Sequence, residues 1–433
     1  MRMTDRIIEN IKHIFAYIKT IIKWLFFATI AGVSCGAVGT LFHYCVDMAT
    51  VSQQKYPYLL YFLPIAGLCI VGIYRLNGVK KDEGTNLILT SVQSCEDVPA
   101  NMTVLIFIST FLTHLCGGSA GREGAALQIG GSMGSLIGRL FKLEPNEKRI
   151  IVMCGMSALF SALFGTPLTA AVFSMEVISV GVMNYAAFLP CVVSAVIAVK
   201  FAEFFGVEPM AFDLAYIPDM NIKTAVLIGL LALGCSAVSA IFVRSLQLSG
   251  KLFAKYIENG YLRTFCGGCA VILLTLICGS RMFCGAGMDT IELALSGRVV
   301  WYAFIMKIIF TAVTIGSGFK GGEIIPSFFI GATFGNAIGA LLGIDPVFGA
   351  AIGMVSVFCG VVNCPMASVL LSVELFGSAG ILFFALSCAI CYIASGYYSL
   401  YAAQNFVYSK LPLAKTDTRK FSKNRDEWKK LIK

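Results

Sequence analysis

Two stretches, GMSALFSALFGTPLTAAVFSME (residues 155–176) and GMVSVFCGVVNCPMASVLLSVE (residues 353–374), carry the same residue types at the same spacing. Gly155, Met156, Phe160, Pro167, Ser174 and Glu176 recur as Gly353, Met354, Phe358, Pro365, Ser372 and Glu374. Six matches at one offset point to an internal duplication. Just upstream, Gly121, Glu123 and Gly131 match Gly321, Glu323 and Gly331 at a nearly identical offset, so the duplication covers both halves. An odd number of crossings per half would set the copies antiparallel and bring corresponding helix ends together at mid-membrane.

The solvent around this chain is lipid. Hydrophobic residues make up 58% and charged residues 13%, far from the composition of a water-soluble protein. Long apolar stretches, such as Ile22 to Phe42, Leu59 to Tyr74, Ala225 to Val243 and Ile381 to Ile393, leave no room for a sizeable soluble domain. They lack period-two alternation, so helices and not a barrel are expected: an all-α, polytopic membrane protein. Basic residues collect at both ends, Arg2 to Lys23 and Lys410 to Lys433, which by the positive-inside rule puts both termini in the cytoplasm. Those ends suit lipid headgroups and not nucleic acid, and no cleavable signal is evident. Residues 1–20 read as an amphipathic helix at the membrane surface, 21–206 and 207–408 as the two transmembrane halves, and 409–433 as a basic cytoplasmic tail. The sixteen cysteines are scattered through apolar segments, the Cys266 to Cys269 pair has no histidine or second pair nearby, and neither a metal nor a cofactor is expected.

Charge inside the apolar, Gly-rich segments marks the candidate site. GGSAGREGAALQIGG (Gly117 to Gly131) holds Arg122 and Glu123 where insertion of a charge costs about 2.5 to 3.5 kcal/mol. The glycines let a helix begin partway through the membrane, with unpaired N–H groups that attract an anion. GFKGGEIIPSFFIGATFG (Gly318 to Gly335) offers a second such start, with Pro326 suited to an early helical position. Backbone around Gly121, Arg122 and Gly124 in the first, and Gly322, Ile324 and Ile325 in the second, supplies the candidate anion contacts. The spacings Gly331, Gly335, Gly339, Gly343 and Gly134, Gly138 are also those of close helix packing in lipid.

GREG followed by a glutamine four residues on, the paired proline-containing repeats and the second Gly-rich helix start resemble the CLC chloride channel and transporter family over nearly the whole chain. The resemblance implies a homodimer with one pathway per subunit, built of two inverted repeats with many tilted, partly spanning helices. It implies that Glu123 is a gating glutamate that enters the anion path and carries the proton, and that Tyr401 in SGYYSLYAA lines the inner path. Three departures stand out. EGTNLIL (Glu83 to Leu89) replaces the GSGIP of chloride-handling members, so Thr85 or Asn86 takes the place of the serine ligand. Val177 stands where chloride/proton exchangers carry an inner proton-transfer glutamate. GFKGGEIIP places Lys320 and Glu323 beside the site.

Together these departures resemble the bacterial fluoride/proton antiporter branch, although Ile325 stands where that branch often has threonine. The implied function is proton-coupled export of fluoride through the plasma membrane; a chloride channel or chloride/proton exchanger of the same architecture is the alternative. Glu323 reads either as a second coupling carboxylate or as a salt-bridge partner of Lys320. Glu176 and Glu374 read as helix caps or interfacial partners before transport groups. An intramembrane enzyme or a receptor is disfavoured, since no HExxH, paired Asp motif or Ser/His pairing appears and no soluble domain is expected after Tyr408, the nucleotide-binding modules of many relatives included.

Overall fold

In hydrocarbon a chain must satisfy its own N–H and C=O groups, and among the described residues helices do nearly all of this work. The computed structural model describes residues 3–79, 83–297 and 299–410, with the backbone alone for residues 3–9 and 11. The first half comprises α1 (Met3–Lys55), α2 (Leu63–Leu76), α3 (Thr85–Ser94), α4 (Asn101–Leu115), α5 (Glu123–Leu140), α6 (Pro145–Phe164), α7 (Pro167–Glu176) and α8 (Phe188–Phe204). The second comprises α9 (Ile222–Tyr256), α10 (Gly260–Cys278), α11 (Met288–Leu295), α12 (Ala303–Gly316), α13 (Ile324–Leu342), α14 (Pro346–Val362), α15 (Pro365–Phe376) and α16 (Ile381–Ala394). The order of long and short helices repeats, and the expected boundary near residue 206 falls in the connector between α8 and α9.

Among the described residues, six helical segments are long and apolar enough to cross a membrane. Helices α3, α7, α11 and α15 have only eight to twelve residues. At about 1.5 Å per residue they reach at most ~18 Å of a core about 30 Å thick. Their ends therefore lie inside protein and need polar partners there.

Those partners reveal the orientation of the repeat. Glu176, at the end of α7, accepts from the Met366 and Ala367 N–H groups (3.2 and 2.8 Å) at the start of α15. Glu374, in the last turn of α15, accepts from Leu168 and Thr169 (both 2.9 Å) at the start of α7. Two helices can cap each other in this way only when antiparallel, so the repeats are inverted. The same carboxylates answer the sequence's open question: they are reciprocal caps. Helices α6 and α14 also end alike, on left-handed Gly165 (φ 73°) and Asn363 (φ 57°), each two residues before a proline.

Glycine sets the closest helix contacts. A Cβ on Gly155 would collide with the Gly130 carbonyl, and one on Gly353 with the Gly331 carbonyl, so α5 packs on α6 as α13 packs on α14. Since Gly155 and Gly353 are repeat partners, Gly331 corresponds to Gly130 and not, as sequence matching has it, to Gly131. The register of this helix pair is thus shifted by one residue. Gly339 joins the packing stripe, with a Cβ position 3.2 Å from Gly349, whereas Gly343 does not: it is the left-handed cap of α13 (φ 76°), facing open space.

Two expectations at the chain ends change. The amphipathic helix predicted over residues 1–20 has no boundary at its end, but runs on unbroken as α1 to Lys55. Lys410 is not the start of a free tail: it is 9% exposed, and its ammonium donates to Asn363 Oδ1 (2.5 Å) and to the Tyr392 carbonyl (2.7 Å). Burial holds that ammonium down to about 8. The rest of the predicted tail, residues 411–433, lies outside the described residues.

Because each cap satisfies two helix N–H groups, Glu176→Ala and Glu374→Ala should each destabilise the fold by about 1–3 kcal/mol. The expected result is a lowered thermal midpoint in detergent with an unchanged anion-to-proton ratio in liposomes; a changed ratio at unchanged stability would make these residues transport groups instead.

Candidate functional site

Two loops meet where the halves cross. Residues 116–122 link α4 to α5, and residues 317–323 link α12 to α13. Gly121 N–H donates to the Gly322 carbonyl (2.7 Å) and Gly322 N–H to the Gly121 carbonyl (2.6 Å), an isolated antiparallel bridge. Only glycine fits, since a Cβ on Gly322 would stand 2.9 Å from the Glu123 nitrogen and nearer still to that of Gly124. Ser119 anchors the first loop to α12 through the Thr314 and Thr311 hydroxyls (3.2 and 3.0 Å). The N-termini of α5 and α13 are thereby brought head to head, two positive dipole ends inside the protein.

Glu123 answers that charge. Its side chain is fully buried, and Oε2 accepts from the N–H groups of Arg122 (3.0 Å) and Ile325 (3.3 Å), one from each facing helix start. Arg122 Nε lies 3.8 Å from Oε1, which has no hydrogen-bond partner among the described residues. A carboxylate thus stands where the helix ends would hold an anion.

The bridge also corrects an equivalence. If Gly121 pairs with Gly322 across the repeat, Arg122 corresponds to Glu323 and Glu123 to Ile324, in agreement with the one-residue shift in the helix packing. Glu123 and Glu323 are not symmetry partners.

Glu323 instead lines a cavity of about 220 Å³, together with Thr85, Asn86, Gln128, Lys320 and Tyr401. Four of the sequence-predicted residues (Thr85, Asn86, Glu323, Tyr401) thus share the cavity. The others (Gly121, Arg122, Glu123, Gly124, Gly322, Ile324, Ile325) are absent from its wall and form the paired helix starts beside it. Gly124 joins the groups: a Cβ there would stand 3.0 Å from Gly322 and 3.3 Å from Glu323 Oε2. Thr85 accepts from Gln128 (3.2 Å) and sits 3.4 Å from the Gly124 carbonyl. Asn86 spends its amide on structure, with Oδ1 taking the Ala403 N–H (2.9 Å) and Nδ2 donating to the Glu83 carbonyl (3.2 Å). Among the described residues no ion pair joins Lys320 to Glu323, and the Lys320 ammonium lies 5.1 Å from the Tyr74 ring. Tyr401 is buried, and its hydroxyl has no hydrogen-bond partner among the described residues, leaving a donor for a guest.

The segment carrying Tyr401 is fastened from several sides. Its strand Asn405–Phe406 pairs in parallel with Ser179–Val180 after α7. Gln93 of α3 donates to the Ala403 carbonyl (2.8 Å), and Gln404 donates to the Val362 carbonyl (2.8 Å). Asn363, the cap of α14, donates to the Tyr398 carbonyl (2.9 Å).

Sequence reasoning passed over two titratable groups here. His43 of α1 meets Arg122, Nδ1 to Nη1 at 3.0 Å. Lys307 of α12 is fully buried and donates to the carbonyls of Gly285 (2.7 Å) and Phe283 (3.3 Å), bracing the loop before α11. A lysine inside the apolar run FIMKIIF was a legible signal; a lone histidine in a long helix was not.

Comparison with known proteins accords with this geometry. The family model for voltage-gated chloride channels matches residues 66–396. The chain is 33% identical over 397 residues to a "Chloride/fluoride channel protein" of Pseudomonas syringae pv. tomato, covering 90% of this chain and 88% of the relative. Among solved structures it resembles a CLC-type fluoride/proton antiporter, with a TM-score of 0.86 and 30% identity over 89% of this chain and 98% of that one. A slow cyanobacterial chloride/proton antiporter shares the fold, with a TM-score of 0.73 at 18% identity, covering 86% of this chain and 94% of that one.

The crossing glycines give a direct check. Overpacking costs about 1–3 kcal/mol, so Gly322→Ala should slow anion efflux from liposomes by about ten-fold or more. Gly250→Ala, at a site with open space, is the matched control and should leave the rate unchanged.

Proposed function

The chain belongs to the CLC family of chloride channels and transporters, and from that premise we propose that it exports fluoride from the cytoplasm in exchange for protons, with Glu123 as gate and proton carrier. Family membership makes it a multi-pass membrane transporter or channel and not an enzyme. The finer reading is carried by one observation: the Glu123 carboxylate occupies the anion's place between the facing helix starts, with one oxygen on the N–H groups of Arg122 and Ile325. Protonated, that carboxyl loses its charge and its claim on the two donors, which an incoming anion then takes.

Three features favour fluoride as the anion. Two similar proteins at 30% identity or more carry fluoride in the name or description given to them. The start of α3 lacks the Ser and Pro expected of a chloride site, and Thr85 and Asn86 bond to protein. Glu323 adds a second carboxyl to the cavity wall. Fluoride is small and strongly hydrated, and a protonated carboxyl can replace water with a short charge-assisted hydrogen bond that couples anion to proton. Tyr401 offers its hydroxyl as a further donor. These donors would also serve chloride, so a chloride channel or exchanger is the competing reading.

The proposed assembly is a homodimer in a bacterial plasma membrane, with one pathway per subunit and both termini cytoplasmic, following the basic N-terminal segment of α1.

Purified protein in liposomes loaded with fluoride, or separately with chloride, tests the proposal through an anion electrode and external pH. Fluoride efflux should drive proton entry while chloride moves far more slowly. Glu123→Gln should abolish proton uptake in protein that still elutes as the parent does, and Glu323→Gln should slow the coupled cycle. Comparable chloride efflux, or coupled proton uptake that survives in Glu123→Gln, would overturn this function.

A further inference from the structure

We propose that His43 is a positioning residue for the Arg122 and Glu123 pair: a proton-sensitive latch that holds Arg122 when neutral and releases it when acid reaches that side of the membrane. The inference rests on the proposed role of Glu123 and adds a residue for which no motif in the sequence speaks.

The geometry begins on α1, which carries His43, half-buried, and Asp47, exposed, one turn apart. The His43 ring reaches the cap of α5, where Nδ1 lies 3.0 Å from Arg122 Nη1. A guanidinium is a permanent cation with donors only, so the ring nitrogen facing it must offer a lone pair. Contact therefore requires a neutral imidazole with its proton on Nε2. Protonation turns both ring nitrogens into donors and sets two cations 3.0 Å apart, and the hydrogen bond is lost.

What His43 holds is the residue that holds Glu123. Arg122 touches the gating carboxylate twice, through its backbone N–H (3.0 Å) and through Nε (3.8 Å). With the ring protonated, the guanidinium moves off, and Asp47 offers it, or the imidazolium, a counter-charge near water. The Glu123 carboxylate then loses its nearest cation and accepts a proton more readily, the step its transport cycle needs.

The surroundings contain little else that titrates. Arg122 and Asp47 are the charged groups within electrostatic reach of the ring. Helix α4 contributes His114, which lies within reach of Arg122. Helix α8 meets α1 here through the Tyr44 hydroxyl, which donates to the Phe205 carbonyl (2.5 Å). With the proposed cytoplasmic N-terminus, His43, in the C-terminal half of α1, lies toward the outer face, from which protons would enter.

Two substitutions separate holding from titrating. In His43→Asn the amide oxygen stands near the position of Nδ1 and still accepts from Arg122, but it cannot be protonated in this range. In His43→Leu nothing accepts, and Arg122 is free at every pH. Fluoride efflux and proton uptake are measured for the parent and both variants in liposomes while external pH is lowered from 8 to 4, with protein-free leak subtracted. The ratio of variant to parent rate at each pH cancels the changing driving force.

The latch predicts a His43→Asn ratio near one at pH 8 that holds until the external medium is strongly acid and falls about three-fold or more by pH 4, where the ring beside the Arg122 cation gains its proton in the parent. It predicts a His43→Leu ratio above one at pH 8 that converges on one in acid. Ratios that stay flat with pH in a parent that couples fluoride to protons would overturn the latch alone. A parent that moves fluoride with no proton strikes the underlying function instead. Should His43→Leu fail to elute as the parent does, His43→Asn decides by itself.

Discussion

Two backbone hydrogen bonds between Gly121 and Gly322 are the constraint from which the centre of this protein follows. They clamp the starts of α5 and α13 head to head, and in a low-dielectric interior the two positive ends demand a negative partner. Glu123 is that partner. The rest of the architecture serves the clamp. Short helices stop inside the protein to leave room for the loops, and glycine seams let α5 sink onto α6 and α13 onto α14. The reciprocal caps of Glu176 and Glu374 pay the polar cost of ending α7 and α15 where they end.

Much of it was legible before any coordinates. The duplication, the Gly-rich helix starts and the buried Arg122 and Glu123 are written as residue types at fixed spacing, and each carries a direct physical cost or freedom. Inversion was only conditional, because identity along a chain says nothing of direction; it took two caps pointing opposite ways to establish it. The one-residue register shift was hidden for a related reason. Glu123 and Glu323 match in type, but the two seven-residue connectors place Glu123 as the first residue of α5 and Glu323 just before α13, and packing, not type, decides which glycine meets which. Contacts such as His43 to Arg122, or Asn86 to Ala403, join residues 79 and 317 positions apart and leave no local pattern at all. Tyr401 was singled out by resemblance alone.

The shift has a consequence for transport. Perfect symmetry would give the two repeats identical charges in identical surroundings, and the two faces of the barrier would then be chemically alike. Here Arg122 occupies in one repeat the place that Glu323 holds in the other, while Glu123 stands opposite Ile324. One carboxylate is tied through Arg122 toward α1 and His43, and the other lies in the wall of the cavity with Tyr401 and Thr85.

The ion gradients set the direction of any exchange; what the difference supplies is two carboxyls in unlike surroundings, so that one can be protonated while the other is charged. If the anion is fluoride, the two carboxyls supply its requirement at two depths: a strong, short donor when protonated and a repelling charge when not. The inverted repeat thus provides the paired helix ends, and the difference in residue type, Arg122 and Glu123 in one copy against Glu323 and Ile324 in the other, makes that frame chemically asymmetric.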